Sequence, residues 1–212
     1  MLIETVVVGS FQCNCTIIAC DETKEAVIID PGDEPTKIME IVNHYGLKVK
    51  YLLHTHAHLD HIMATRDVKE KTNAEILLHK EDNFIYESLK MQASMFGFKV
   101  EEPLKVDRFV EDGEILSAGK NINTKVIHTP GHSPGSICFH FAGEKQPLIF
   151  SGDTLFARSI GRTDLWGASH SQLIQSIETR IFSLQEETLV LPGHGPKTTV
   201  WEEKRKNPFF KC

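Results

Sequence analysis

The chain has 212 residues, enough for one domain with a substantial core, and its 29 acidic against 23 basic residues leave a formal net charge of −6. That balance, with no long basic run, disfavours a nucleic-acid backbone or an anionic membrane as the main partner and points to a small molecule. The N-terminus "MLIETVVVGS" lacks a basic leader, and no apolar stretch approaches the ~18 residues a bilayer needs, so a cytoplasmic protein is expected.

In chain order, "IETVVV", "TIIAC" and "EAVIID" are short runs rich in β-branched residues and bounded by turn formers, which predicts three successive strands. Cys13 and Cys15 stand two apart on the second of these, so both side chains point to one face as packing residues. The five cysteines (Cys13, Cys15, Cys20, Cys138, Cys212) are odd in number and at no zinc-ribbon spacing, so reduced thiols are expected rather than a disulfide framework. "EPTKIMEIVNHYG" opens with Pro35, closes on Gly46 and buries Ile38, Ile41 and Val42 at helical spacing. "KVKYLL" then reads as a buried strand leading straight into "HTHAHLDH". "DHIMATRDVKEKTN" reads as a helix, "AEILLH" as a strand and "KEDNFIYESLKMQASMFGF" as mixed helix, while residues 97–122 give no clear periodicity. "NTKVIHTPGH", "SICFHFAG" and "QPLIFSGD" predict three more strands, "SHSQLIQSIETRIF" a helix, "ETLVLPGHG" a last strand, and "WEEKRKNPFF" a polar tail. No Pro-, Gly- or Ser-rich linker divides the chain, so one αβ domain spanning residues 1–212 is expected. "KYLLHT" and "KVIHT" match over five residues, too few to establish duplication.

Metal ligands must converge from loops whose backbones are fixed by strands, and four predicted strand ends offer them: the cluster at 54–61, His132, Asp153 and His194. His56 and His58 are separated by one residue, so in an extended segment both rings lie on one side and can share an ion. Asp60 and His61, at the start of the next helix, face a neighbouring position where a second ion fits. A competing motif lies inside this set: "GHSPG" satisfies G-x-S-x-G, with Asp153 and His194 following Ser133 in the order of an α/β-hydrolase triad. A nucleophile elbow must open a helix, whereas "SICFHF" reads as a strand, and the triad leaves the cluster at 56–61 without a role.

Taken together, "IIDPGD", "THAHLDH", "HTPGHSPGS", "FSGDTLF", "GRTDL", "LPGHGPKTT" and the terminal "NPF" cover nearly the whole chain and resemble the metallo-β-lactamase superfamily, within it the glyoxalase II-like hydrolases. The resemblance implies a four-layer αβ/βα sandwich. It also implies that His56, His58 and His132 hold one metal, that Asp60, His61 and His194 hold a second, and that Asp153 bridges the two. Asp30 matches an acidic residue beneath the site that orients the ligand loops. His54 and His128 are left as strand-end or supporting histidines. Arg158 and Arg162, in "RSIGRTDLWG", can clamp a substrate carboxylate or hold a structural turn.

Two divalent ions so placed bring a bound water to a pKa near ~7, so the protein need not supply a nucleophile, and Asp60 and Asp153 orient that hydroxide. The ligand set is all nitrogen and oxygen, which makes zinc the default and leaves iron and manganese open. The implied reaction is hydrolysis of a thioester, S-lactoylglutathione or a related hydroxyacylglutathione. Full-length glyoxalase II enzymes carry a C-terminal helical domain that supplies much of the glutathione-binding surface, and this chain ends soon after His194. Two alternatives stay open: a lactonase or other ester hydrolase at the same metals, and a persulfide dioxygenase with a single iron held by His56, His132 and Asp153.

Overall fold

The computed structural model describes residues 1–143 and 146–210; Cys212, expected as a reduced thiol, lies outside the described residues. Six strands, β1 (Leu2–Val8), β2 (Cys13–Ala19), β3 (Glu25–Ile29), β4 (Lys48–Leu53), β5 (Glu75–His79) and β6 (Arg108–Val110), form the first sheet in sequence order. β1 to β3 are antiparallel, and β3 to β6 are parallel. Parallel neighbours need crossovers. α1 (Pro35–Tyr45) links β3 to β4; α2 (Leu59–Ile62) and α3 (Thr65–Thr72) link β4 to β5; α4 (Asn83–Glu87) and α5 (Leu89–Met95) lead towards β6.

The second half continues with β7 (Ile115–Ala118), β8 (Ile122–His128), β9 (Ile137–Phe141), β10 (Leu148–Gly152), a hairpin of β11 (Leu155–Phe156) and β12 (Ser159–Ile160), α6 (His170–Ser176), β13 (Leu189–Pro192), β14 (Thr198–Thr199) and α7 (Val200–Lys206). Its six-stranded sheet runs β14-β13-β10-β9-β8-β7. The alternation of side chains along each strand decides the layers. Ile18, Val27, Ile29, Leu53 and Leu77 face Val126, Ile137, Phe139, Phe141 and Phe150 across the space between the sheets. Cys13, Cys15, Ile17, Ile28, Leu52, Ile76 and Leu78 face outwards onto Ile38 and Val42 of α1 and Val68 of α3. On the far side Cys138, Ile149 and Val190 pack against Leu173 of α6, Ile177, Ile181 and Val200 of α7. The result is the expected αβ/βα sandwich, with β4 and β8, the two strands of similar sequence, one in each sheet.

Local differences have local causes. The segment 60–73 is two helices, because the N–H of Ala64 bonds to the Pro31 carbonyl at 3.1 Å and the chain turns there. The segment 97–122 holds β6 and β7, too short to show a period. The expected polar tail folds as α7, with Val200 and Glu203 buried.

Candidate metal centre

The four strand ends meet at one edge of the sandwich. After β4 the chain stays extended through His58 and then enters α2, which places Asp60 and His61 in its first turn. His132 follows β8, Asp153 follows β10 and His194 follows β13.

On one side of the centre His58 Nδ1 lies 2.8 Å from His132 Nε2, which lies 3.2 Å from His56 Nε2. On the other side His61 Nε2 is 3.2 Å from His194 Nε2 and 3.6 Å from Asp60 Oδ2, and His194 Nε2 is 3.1 Å from Asp60 Oδ2. Asp153 stands between the two trios, with Oδ2 3.6 Å from His132 Nε2 and Oδ1 3.4 Å from His61 Nε2 and 3.7 Å from His194 Nε2. Asp153 Oδ1 is buried and has no hydrogen-bond partner.

The outer contacts of the rings fix where their protons sit. A carbonyl or carboxylate oxygen only accepts, so the ring nitrogen facing it carries the hydrogen. His132 Nδ1 donates to the Arg162 carbonyl at 2.8 Å, His194 Nδ1 to the Gln12 carbonyl at 3.2 Å, and His61 Nδ1 to Asp30 Oδ2 at 3.0 Å. Thr55 Oγ1 gives its one hydrogen to Asp30 Oδ2 at 2.7 Å and accepts from His56 Nδ1 at 3.0 Å. In a neutral ring so fixed the lone pair is on Nε2, so these four nitrogens point lone pairs into the centre. Burial, then the neighbouring imidazoles, hold His56 well below its usual range and push His58 down to about 3. Burial opposes a charge on His61 as well, yet Cys13 and then the carboxylates of Asp153, Asp60 and Asp30 around it reverse the direction and raise it, so its Nε2 lone pair is offered once a cation displaces that proton. Burial would raise Asp153, but the imidazoles of His61, His132 and His194 hold its carboxyl well below the usual carboxylate range. Lone pairs and an unpartnered carboxylate oxygen converge here with negative charge in excess, so these residues fit metal cations.

The Metallo-beta-lactamase superfamily profile matches residues 8–194. The chain belongs to this superfamily. It is 40% identical to the hydroxyacylglutathione hydrolase GloC of Haemophilus influenzae, over 99% of this chain and 98% of that protein. Among solved structures it is similar to the BLEG-1 B3 metallo-beta-lactamase, 34% identical with a TM-score of 0.91 over 100% of both chains. It is also similar to TTHA1623 in a di-iron-bound form, 38% identical with a TM-score of 0.88 over 97% of this chain and 99% of that one.

Within this superfamily member the supporting residues are as telling as the candidate ligands. Asp30 is buried and left-handed (φ 51°) ahead of Pro31, a strained conformation for a non-glycine residue. That turn aims both its oxygens at the ligand loop, where they take the Thr55 N–H at 2.8 Å, the Thr55 hydroxyl and the His61 ring. Cys13 packs beneath the same ring, its Sγ 3.6 Å from His61 Nδ1, and burial pushes its thiol up to about 11, so it is neutral there. Gly193 is required by space: a Cβ on it would lie 2.4 Å from Asp153 Oδ1 and 2.7 Å from His61 Cε1.

The remaining sequence candidates fall outside the centre. His54 is fully buried, donating from Nδ1 to the Leu77 carbonyl at 3.1 Å and sharing a 2.8 Å bond with Thr65 Oγ1. His128 donates from Nε2 to the Pro134 carbonyl at 2.9 Å. Ser133 is buried against Asp82 and Ser136, and its turn opens strand β9 rather than a helix, so it is no nucleophile elbow. Arg158 is not at the cleft; its guanidinium lies 3.4 Å from Glu202 on α7. Arg162 does line the cleft, but as a bidentate pair with Asp164 at 2.7 and 2.8 Å. One edge of its guanidinium is thus paired within its own turn, the second of the two roles its sequence position allows. Sequence reasoning missed Asp82 and Gln92. Gln92 accepts from the Leu59 N–H at 3.0 Å and donates to the Ala57 carbonyl at 3.2 Å, bracing the loop of His58 from α5. Both residues look like ordinary surface polar positions of a helix, and nothing in their spacing marks them.

Proposed function

We propose that this chain hydrolyses a thioester, S-lactoylglutathione or a related hydroxyacylglutathione, at two metal ions. The observation that carries this reading is the pair of ligand trios with Asp153 between them, its Oδ1 buried and unpartnered. His56, His58 and His132 would hold one ion, Asp60, His61 and His194 the other, and Asp153 both. When bound, two divalent ions, zinc by default for nitrogen and oxygen ligands, supply Lewis acidity and a water acidic enough to attack at neutral pH.

The chain's own groups do the rest. Asp60 and Asp153 accept hydrogen bonds from the attacking water and orient it towards the acyl carbon. Asp30 and the Arg162 carbonyl hold the rings of His61 and His132, so the centre does not reorganise during turnover. The water oxygen bonds to the acyl carbon, the carbon–sulfur bond breaks with its electron pair leaving on sulfur, and of the water's two protons one passes to the departed thiolate and one to solvent, leaving a carboxylate and a thiol. A thiolate of ordinary pKa, about 8.5, departs without a strong general acid, and no lysine among the described residues lines the cleft to act as one. Similarity to GloC supports the thioester class. The free thiols of Cys13, Cys15, Cys20 and Cys138 suit a reducing, cytoplasmic setting; no helix among the described residues is long and apolar enough to cross a membrane.

The test is turnover of S-lactoylglutathione by protein loaded with zinc or with iron, before and after chelation. Hydrolysis lost on chelation and restored with metal is expected. Cleavage of a lactone with no detectable thioester hydrolysis, metal loaded, overturns the thioester assignment in favour of a lactonase.

A further inference from the structure

The centre opens into a cleft of about 550 Å³ whose walls are unlike its floor. The floor is His58, Asp60, His132, Asp153 and His194. One wall is Phe11, from the turn between β1 and β2, with Met95 and Phe96 from the end of α5; the Phe11 and Phe96 rings meet edge to face at 5.2 Å. The other wall is Leu165 and Trp166. Their loop is fixed to the His132 turn: the Ser169 N–H bonds to the Gly131 carbonyl at 2.8 Å, and Gly167 sits so close to Pro134 that a Cβ on it would lie 2.6 Å from the ring.

These walls are large apolar side chains left in water, with Met95 68% exposed, Phe96 54% and Trp166 47%. Apolar groups rimming a cleft are where a ligand's apolar surface is removed from solvent. The charge on the walls tells the complementary story. Arg162 is the one Lys or Arg among the described lining residues, and Asp164 takes one edge of its guanidinium, through Nε and one terminal nitrogen. The walls therefore carry a single ion pair beside their apolar side chains.

We propose that the cleft selects its thioester by apolar bulk packed between Phe96 and Trp166. This inference rests on the hydrolase reading and narrows its substrate class: thioesters with aryl or branched alkyl groups.

Two measurements test it. The first compares lactoyl thioesters of glutathione, N-acetylcysteamine and benzyl mercaptan. Burying one aromatic ring is worth on the order of tenfold or more, so kcat/KM is expected to rise at least about tenfold from glutathione to benzyl mercaptan. Phe96→Ala and Trp166→Ala should collapse that ratio, while Trp166→Phe, which keeps an aromatic face, should preserve most of it. The second is binding, read from Trp166 fluorescence in a Trp201→Phe background, since these are the only 2 tryptophans and Trp201 lies on α7 away from the cleft. S-benzylglutathione is expected to bind about tenfold or more tighter than S-methylglutathione, which carries the same carboxylates. Rates that favour the glutathione ester whatever the bulk of the others, or equal binding of the two thioethers, overturn the proposal. The failures are distinguishable. If metal-loaded protein cleaves no thioester but keeps the benzyl preference in binding, the hydrolase reading falls and the apolar selection stands. If thioesters are cleaved without preference, the reverse holds.

Discussion

Asp82 ties two ligand loops to each other. Its Oδ2 takes the Ala57 N–H at 2.9 Å, between His56 and His58, and the Ser133 hydroxyl at 2.8 Å; its Oδ1 takes the Gly135 N–H at 2.6 Å, beyond His132. Burial pushes this carboxyl up, against the donors that hold it down. In Asp82→Asn one oxygen becomes an amide group aimed at a backbone N–H, so a bond is lost and two donors confront each other. A loss of about 2–4 kcal/mol in unfolding free energy is expected, with weaker metal retention, measured by urea denaturation and elemental analysis. Ser133→Ala removes only a hydroxyl and leaves both backbone donors in place, so about 1 kcal/mol is lost and most activity remains. A drop of ~10³ in kcat/KM with metal content unchanged would restore Ser133 as a nucleophile.

At the scale of elements, α7 shows where sequence patterning stops working. Its register was hidden because the residue it buries beside Val200 is a carboxylate, Glu203, which an apolar periodicity scores as surface. Glu203 is fully satisfied: it accepts from Thr198 Oγ1 at 2.6 Å, from the Arg158 N–H at 2.9 Å and from Asn207 Nδ2 at 2.8 Å. Asn207, from the terminal "NPF", also donates to the Ser159 carbonyl at 3.1 Å, so helix, tail and the β11–β12 hairpin form one unit next to Asp153. Glu203→Ala should leave those donors unpaired and cost about 3 kcal/mol or more, seen as a lower denaturation midpoint at unchanged slope. An unchanged midpoint would mean that α7 does not anchor the hairpin. The contrast with the strands is physical. Strands buried on both faces are continuous Val and Ile runs, and those were legible, as were the His and Asp residues at their ends, because strand ends and ligand chemistry coincide. Asp82 and Gln92 were not, since they act through backbone atoms of loops far away in sequence, and β6 and β7 were too short to carry a pattern.

At the scale of the whole molecule, the seven candidate ligands come from both halves: His56, His58, Asp60 and His61 follow the first sheet, whereas His132, Asp153 and His194 follow the second. Ions held there would bind the folded state alone and staple the sheets together at one edge. A ligand at a thousand times its dissociation constant stabilises by about 4 kcal/mol, and for a chain of this size each kcal/mol moves the melting temperature by roughly 2–4 °C. Chelation should therefore lower Tm by roughly 8–16 °C, and elemental analysis should count about two ions per chain before it. His61→Ala separates the remaining alternatives, because His61 belongs to the second trio and not to the set His56, His132 and Asp153 that a mononuclear iron dioxygenase needs. For the dinuclear hydrolase the substitution should bring the count towards one, remove most thioester turnover and shrink the Tm response to chelation. For the dioxygenase both proteins should carry a single iron, respond alike to chelation, and consume oxygen when glutathione persulfide is added. Anaerobic purification followed by reconstitution with zinc or with iron lets either outcome appear, and a count of one iron in both proteins would overturn the two-metal assignment.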